Sequence, residues 1–282
     1  MATLSELNLY PVKSCAGIAL RTATLTRRGL MAGGVYDREW MLVDLAGRFL
    51  TQREVPRMAR ITPAIGVAGA DALVLSAPGL VPLTLALDGA ATPAVTVHIW
   101  DEVLPAQDCG DDAAAWVSAA TGVPCRLVRF SAAAQRLASA RWTGGIEAPT
   151  LFSDGYPILV AGSGSLAEIN ARLRHAGRDA IPMNRFRPNV VLDGVEAFEE
   201  DYAESYTLGA AVLKAVKPCP RCPMPSIDQA TGVIGPDPLD LMRDRAKALV
   251  DGAICFGMNT IVVEGEGALL TVGQEVEVTL AF

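Results

Sequence analysis

The chain has 282 residues, of which 51% are hydrophobic, 20% are charged and 6% are aromatic, and its formal net charge is −7. This composition excludes a disordered chain, a collagen and a coiled coil, and six cysteines are too few for a disulfide framework. The acidic balance and the absence of a Lys/Arg run argue against nucleic-acid binding, and no stretch of about 18 apolar residues predicts a membrane span. The N-terminus lacks a secretion signal, so we expect a cytoplasmic protein that handles a ligand.

The first hundred residues predict short strands separated by turns. Alternating apolar and polar residues predict strands over residues 7–9, 20–25, 73–75, 83–87 and 95–100. Residues 40–43 and 48–51 predict two further strands, joined by a turn in which Gly47 supplies a positive φ. Short strands at this spacing favour a barrel or a sandwich over βαβ units.

The pattern becomes mixed after Trp100. Helices are predicted from Asp111 to the stop at Gly122, over 165–174, and over 238–248 with Pro238 at the first position. Further strands are predicted over residues 126–130, 189–193, 206–216, 261–263 and 269–278, and a long surface loop is predicted over 131–148. We therefore predict a β-rich α+β protein with two modules, residues 1–95 and 96–282, and a boundary between 95 and 125.

The strongest signal for a functional site is the segment 217–225, KPCPRCPMP. Its prolines predict a stiff loop that is neither helix nor strand. Cys219 and Cys222 form a C-x-x-C pair beside Lys217 and Arg221, and neighbouring cations favour the thiolate over the thiol. We therefore expect one of the two sulfurs to be available as a metal ligand.

Four interpretations of this segment compete. A zinc site would need two more ligands, and the other cysteines and histidines show no second paired spacing. A thioredoxin-like redox pair should open a helix, which Pro223 and Pro225 disfavour. Two buried structural cysteines are a third possibility, and one thiolate on a soft-ligand transition metal or metal cofactor is the fourth.

Polar residues at strand ends suggest an anionic ligand. Lys13 and Ser14 follow one predicted strand, and Arg38 and Arg187 each precede another. Such side chains bind phosphates, although each one alone is more often a solvated loop charge. The segment 162–165, GSGS, precedes a helix and could bind phosphate, but it lacks a complete fingerprint.

Five segments in order make the chain resemble one family. They are 10–15 (YPVKSC), 37–38 (DR), 152–155 (FSDG), 184–189 (NRFRPN) and 217–222 (KPCPRC). Together they resemble the MOSC-domain family, specifically the mitochondrial amidoxime-reducing components and their bacterial relatives, from about residue 4 to about residue 280. The resemblance implies a MOSC β-barrel core with flanking helices and an N-terminal β-rich module.

The resemblance also implies a cofactor and its binding residues. The cofactor is the molybdenum cofactor, a pterin dithiolene with a phosphate, held between the two modules. Cys222 is implied as the molybdenum ligand and catalytic residue. The implied cofactor-binding residues are Lys13, Ser14, Arg38, Asp154, Gly155, Arg187, Pro220, Arg221 and Asn259. Gly155 and Pro220 replace hydroxylated residues of the family, so we expect only backbone contacts there, and Asn259 replaces an aromatic residue of the pocket wall.

The implied reaction is the reduction of N-hydroxylated compounds, such as amidoximes and hydroxylamines, to the parent nitrogen base and water. No further cysteine cluster precedes Phe282, so we expect electrons from a separate ferredoxin-like, cytochrome b5-like or flavin-containing donor. The lack of a mitochondrial leader favours a bacterial cytoplasmic protein. Two alternatives remain: a non-catalytic carrier of the cofactor, or of sulfur as a Cys222 persulfide, and a zinc-stapled interaction module.

Overall fold

The structure is a computed structural model that describes residues 1–66, 71–88 and 93–281. Its strands are β1 (Ala2–Leu9), β2 (Ile18–Leu20), β3 (Thr22–Thr26), β4 (Gly29–Ala32), β5 (Val35–Tyr36), β6 (Trp40–Val43), β7 (Thr62–Ile65), β8 (Ala72–Ser76), β9 (Leu83–Ala86), β10 (Ala94–Ile99), β11 (Glu102–Asp108), β12 (Arg126–Phe130), β13 (Ile158–Gly162), β14 (Val190–Asp193), β15 (Ala203–Leu208), β16 (Ala211–Pro220), β17 (Ala246–Lys247), β18 (Ala253–Glu264), β19 (Leu269–Thr271) and β20 (Glu275–Leu280). The α-helices are α1 (Asp111–Thr121), α2 (Ala140–Thr143) and α3 (Ser163–His175). Within the described ranges, no helix has the length and apolar character needed to cross a membrane.

A closed seven-stranded barrel forms the centre of the fold. Its strands follow the order β13-β14-β1-β20-β15-β16-β18, and antiparallel pairing of β18 with β13 closes the ring. Ala2 and Leu4 of β1, and then Leu7 and Leu9, are buried in alternation, because side chains of a strand alternate between its two faces. A register shift between Leu4 and Glu6 returns Leu7 to the buried face. The barrel and its few helices confirm the predicted β-rich fold with a β-barrel core.

Three smaller sheets surround the barrel. Their strand orders are β10-β11-β12-β6, β19-β3-β4-β5 and β7-β8-β9. The two ends of the chain interlock, since β1 pairs with β14 and β20 in the barrel while β19 pairs with β3. The division of the chain between residues 95 and 125 stays a prediction; residues 67–70 and 89–92 of the first module and 282 of the second lie outside the described residues.

The two longer helices agree with the patterns that predicted them. Helix α1 has Asp111 and Asp112 in its first turn and ends at Gly122, whose φ of 80° is left-handed. Helix α3 buries Ile169 and Leu173 against the neighbouring core cluster. Helix α1 is therefore fixed by signals at both ends, and helix α3 by its apolar face.

The predicted stiff loop over 217–225 is wrong in its first half. Strand β16 continues through Pro218 to Pro220 and pairs with β18, with register shifts beside both prolines. Pairing with β15 stops at Lys214, so the rest of β16 is bonded on one side only. A proline has no N–H to donate, and a bulged, one-sided strand tolerates that loss.

The predicted helix over 238–248 is also wrong. The chain instead forms short 3-10 turns at Pro238–Leu241, Arg243–Arg245 and Ala248–Val250. Asp237 does cap the first turn, through its side chain and the Leu239 N–H. Burial of Leu239 and Met242 in a core cluster overrides the helical propensity of the segment.

Other predicted elements are divided or shortened. The strand predicted over 206–216 is a hairpin turning at Gly209, and that over 269–278 turns at Gly273; both glycines have positive φ. Residues 20–25 divide into β2 and β3, and the strand predicted over 48–51 is reduced to isolated bridges at Arg48 and Phe49. The predicted surface loop over 131–148 contains α2 and the buried Arg136, so it is partly core.

Candidate functional site

Ten residues singled out in the sequence line one cleft of about 200 Å³. The turn after β1, the β5–β6 connection, the loops that lead into β13 and β14, the end of β16 and the middle of β18 form this cleft. The ten residues are Lys13, Ser14, Arg38, Asp154, Gly155, Arg187, Pro220, Arg221, Cys222 and Asn259. Residues far apart in sequence are thus brought together by the barrel.

Three of these residues have an unusual backbone. Ser14, Arg38 and Arg187 have φ values of 62°, 51° and 58°, in the left-handed region that non-glycine residues rarely adopt. Each such residue costs roughly 1–2 kcal/mol. Strained residues persist where surrounding contacts fix them, and they cluster at functional sites.

Lys13 and Asp154 form an ion pair at the cleft. The buried Lys13 ammonium donates to the carbonyl of Phe152 at 2.9 Å and to the carboxylate of Asp154. Burial lowers the pKa of Lys13, and the Asp154 charge partly offsets this effect. Desolvation would raise the pKa of Asp154, but the charge of Lys13 and its hydrogen bond hold that pKa at about 2. The carboxylate is therefore ionised at neutral pH and fixes the position of the ammonium.

Tyr10 supports both central arginines. The guanidinium carbons of Arg38 and Arg187 each lie 4.3 Å from the centre of the Tyr10 ring. Arg38 also pairs with the buried carboxylate of Asp37, which accepts from the Tyr10 N–H at 2.9 Å and from Asn189 Nδ2 at 2.9 Å. Burial raises the pKa of Asp37, although Arg38 acts in the opposite direction. This network fixes the position of the Arg38 guanidinium beneath the cleft.

Arg187 has an unsatisfied donor. Its Nη1 donates to the carbonyl of Cys15 at 2.6 Å, whereas Nη2 is buried without a hydrogen-bond partner among the described residues. Burial lowers the pKa of Arg187 to about 10, so the side chain stays cationic at neutral pH. An unpaired buried N–H on a cation costs about 1–3 kcal/mol, so this geometry favours an anionic ligand that would accept the bond.

Arg221 contacts Cys219 rather than Cys222. Its Nη1 donates to Cys219 Sγ at 3.1 Å and its Nη2 to the carbonyl of Phe186 at 2.9 Å, while Nε is buried without a described partner. Among the hydrogen bonds of the described residues, none involves the Cys222 sulfur. The guanidinium that the sequence places beside both sulfurs therefore contacts Cys219, and Cys222 as metal ligand stays a prediction from the resemblance.

The cleft has an excess of positive charge. Lys13, Arg38, Arg187, Lys217 and Arg221 line it, against the single acidic side chain of Asp154. Within the described ranges, no group of three or more His, Cys, Asp or Glu side chains could hold a metal ion. A metal bound by Cys222 would therefore need ligands from its own cofactor. The cation excess, the unpaired N–H groups and the two cysteines, of which Cys222 is the predicted ligand, fit a phosphate-bearing cofactor that brings sulfur ligands to its metal.

The structure adds residues to the cleft beyond the ten that the resemblance assigns to it. Ser153, Tyr156, Leu159, Phe186, Asn189, Lys217, Cys219 and Met224 also line the cleft. Asn189, Lys217 and Cys219 belong to segments that signalled the site, whereas Leu159 and Phe186 look like core positions in the sequence. The GSGS segment has a structural use, since the Ser165 hydroxyl accepts from the Phe198 N–H and donates to Glu200, each at 2.7 Å.

Comparisons with known proteins find similarity over most of this chain. Residues 1–124 match the MOSC N-terminal beta barrel domain, and residues 147–277 match the MOSC domain. Mitochondrial amidoxime reducing component 2 of Bos taurus is 31% identical over 248 residues, which cover 86% of this chain and 72% of that protein. Mitochondrial amidoxime-reducing component 1 of Homo sapiens is 30% identical over 249 residues, which cover 86% of this chain and 72% of that protein. Molybdenum cofactor sulfurase of Oryza sativa subsp. japonica is 30% identical over 297 residues, with 97% of this chain but 35% of that protein covered.

Proposed function

This chain belongs to the MOSC-domain family, and from that premise we propose that it is a molybdenum-cofactor-dependent reductase of N-hydroxylated compounds. The observation that most supports the proposal is the composition of the cleft. Cys222 stands beside five cationic side chains, and two buried guanidinium groups, those of Arg187 and Arg221, have N–H donors without partners among the described residues. That combination suits a group that is anionic at one end and has a soft metal at the other.

The residues of the cleft would hold the cofactor in distinct ways. We assign Lys13, Ser14, Arg38, Arg187 and Arg221 to its phosphate and pterin, as donors of charge-assisted hydrogen bonds. Asp154 would keep the Lys13 ammonium in place. Gly155 and Pro220 would contribute backbone atoms, Asn259 part of the wall, and Cys222 the protein ligand to molybdenum. The lining of a single cavity by all ten residues supports these assignments.

The cofactor supplies two-electron oxygen-atom chemistry when bound, and the protein supplies position and charge. In the proposed reaction, an amidoxime takes up two electrons and two protons, its N–O bond breaks, and an amidine and water are released. The electrons come from a separate donor protein of ferredoxin-like, cytochrome b5-like or flavin-containing type. A bacterial cytoplasmic location is part of the same proposal.

The direct test is an assay of benzamidoxime reduction. Protein purified from a host that makes the cofactor is supplied with a chemical reductant, and benzamidine is measured by chromatography. We expect turnover by the natural chain and by Cys219→Ser, and none by Cys222→Ser, because a hydroxyl is a poor ligand for a soft metal. Equal rates for all three proteins would contradict the proposal, as would a molybdenum-loaded chain without turnover.

A non-catalytic carrier is the second candidate. The observation that favours it is the 30% identity to a molybdenum cofactor sulfurase over nearly this whole chain. A carrier would hold the cofactor, or a persulfide on Cys222, without turnover under any electron supply. Mass spectrometry of Cys222 beside the benzamidoxime assay separates the two candidates.

A further inference from the structure

Gln52 is a completely buried amide next to the cofactor-binding turn. Its side chain has no solvent exposure, and its Nε2 donates to the carbonyl of Ser14 at 2.8 Å and to Gln229 Oε1 at 3.0 Å. An amide nitrogen has two hydrogens, so both donors of Gln52 are used. Gln52 does not line the cleft, and its role would therefore be exerted through Ser14.

The bond from Gln52 to Ser14 falls where the backbone is strained. Ser14 has a φ of 62°, and it lies between Lys13, paired with Asp154, and Cys15, whose carbonyl accepts from Arg187. A serine keeps a left-handed backbone only if its surroundings favour that conformation. The bond from Gln52 anchors the carbonyl of this strained residue.

Gln229 extends the contact to the segment that follows Cys222. Its Nε2 donates to Gln52 Oε1 at 2.9 Å and to the carbonyl of Ile227 at 3.1 Å, so the two amides bond reciprocally. The pair thus links the turn after β1 to the segment seven residues beyond Cys222. A buried polar network whose donors are all satisfied specifies one arrangement of the groups it joins.

We propose that Gln52 is a positioning residue of the cofactor cleft, which with Gln229 fixes the Lys13–Ser14 turn relative to the segment that follows Cys222. The inference rests on the proposed function, because it concerns retention of that cofactor. It explains why a polar side chain is kept at a fully buried position. It also predicts that the cleft loses its cofactor when the donor to Ser14 is removed, even if the barrel stays folded.

The test replaces the Gln52 amide by a carboxyl group of the same shape. In Gln52→Glu the ionised form has no N–H and places negative charge against the carbonyl of Ser14, whereas the protonated form keeps one donor. Burial raises the pKa of such a carboxyl group, so its ionisation grows as pH rises toward 8. We expect Gln52→Glu to release molybdenum at least tenfold faster at pH 8 than at pH 5. Elemental analysis of samples desalted at successive times measures this rate. The natural chain should show no comparable acceleration.

The controls separate positioning from folding. Gln135→Glu makes the same change at an exposed glutamine and should release molybdenum at the natural rate. The thermal midpoint of cofactor-free Gln52→Glu should fall between pH 5 and pH 8, because a carboxyl group whose pKa is raised by burial costs folding stability when it ionises. It should nevertheless stay above the temperature of the release measurement at both pH values. If Gln52→Glu does not fold, Gln229→Met is measured in its place. This variant removes the amide partner of Gln52 but leaves the bond from Gln52 to Ser14, and it should release molybdenum faster than Gln135→Glu does.

Each remaining outcome counts against the inference. Release from Gln52→Glu at the natural rate across this pH range overturns it and leaves the proposed function intact. The same holds if Gln229→Met, which decides when Gln52→Glu does not stay folded, releases molybdenum at the rate of Gln135→Glu. A natural chain that never holds molybdenum overturns the proposed function, and the inference with it.

Discussion

Arg187 is a cleft residue whose charge and donors are incompletely satisfied within the described structure. It is buried, its Nη1 bonds to a backbone carbonyl, and its Nη2 has no described partner. We expect Arg187→Ala to weaken cofactor binding by about 1.5–3 kcal/mol, since a hydrogen bond to a charged group contributes that much. Molybdenum occupancy after dialysis checks this, with Arg174→Ala at an exposed position of helix α3 as the matched control. Equal occupancy in the two variants would remove Arg187 from the binding set.

Single residues of the cleft were predictable where their chemistry is visible in the sequence. Cations and cysteines beside prolines and strand ends signalled Lys13, Arg187 and the Cys219–Cys222 pair, whereas only the family resemblance pointed to Cys222 in particular. The supports beneath them were not predictable, because Tyr10 under two arginines and the Gln52–Gln229 pair depend on contacts between distant segments. Nor did the sequence indicate which cysteine the Arg221 guanidinium would contact.

Elements were predicted well where one local signal dominated. Strand β6 and helix α1 follow their sequence patterns almost residue for residue, because a continuous apolar run in β6 and end signals in α1 agree with burial there. The predictions failed where tertiary contacts decide. Pairing with β18 carries β16 through two prolines, and packing divides the segment after Asp237 into 3-10 turns. Local propensity is a weak guide in both places.

Closure of the barrel requires a glycine in β18. Gly257 has a φ of 79°, and a Cβ atom there would lie 2.8 Å from the carbonyl oxygen of Val160 in β13. We expect Gly257→Ala to reduce the free energy of unfolding by about 1–3 kcal/mol more than Gly267→Ala does, since overpacking adds to the backbone cost. Gly267 is the matched control because its φ is 86° and its Cβ would meet nothing within 4 Å. Urea denaturation measures both variants, and equal losses would mean that β13 and β18 do not approach this closely.

The whole molecule depends on contacts between the two ends of the chain. Strand β1 lies between β14 and β20 in the barrel, and one core cluster includes residues from both predicted modules, such as Leu25 and Val262. The order of elements indicated a barrel but could not indicate that the first strand completes it. Such pairing joins residues nearly 200 positions apart, which no local pattern encodes.

This arrangement predicts that the two sequence modules unfold together. Leu4 in β1 has no solvent exposure, so Leu4→Ala should lower the free energy of unfolding by about 2–5 kcal/mol in a single transition. Leu269→Ala, at a leucine that is 62% exposed, should change it by less than about 0.5 kcal/mol. Tryptophan fluorescence and far-UV circular dichroism should give coincident urea curves. Two separate transitions in Leu4→Ala would show that the modules unfold independently.

The central claim, that this cleft binds the molybdenum cofactor through Cys222, is tested most directly by elemental analysis. Molybdenum and zinc would be measured in the natural chain, Cys222→Ser and Cys219→Ser, all made in a host that synthesises the cofactor. We predict near-stoichiometric molybdenum in the natural chain and in Cys219→Ser, and its loss in Cys222→Ser. Zinc without molybdenum, or molybdenum that is lost with Cys219 and kept without Cys222, would contradict the account.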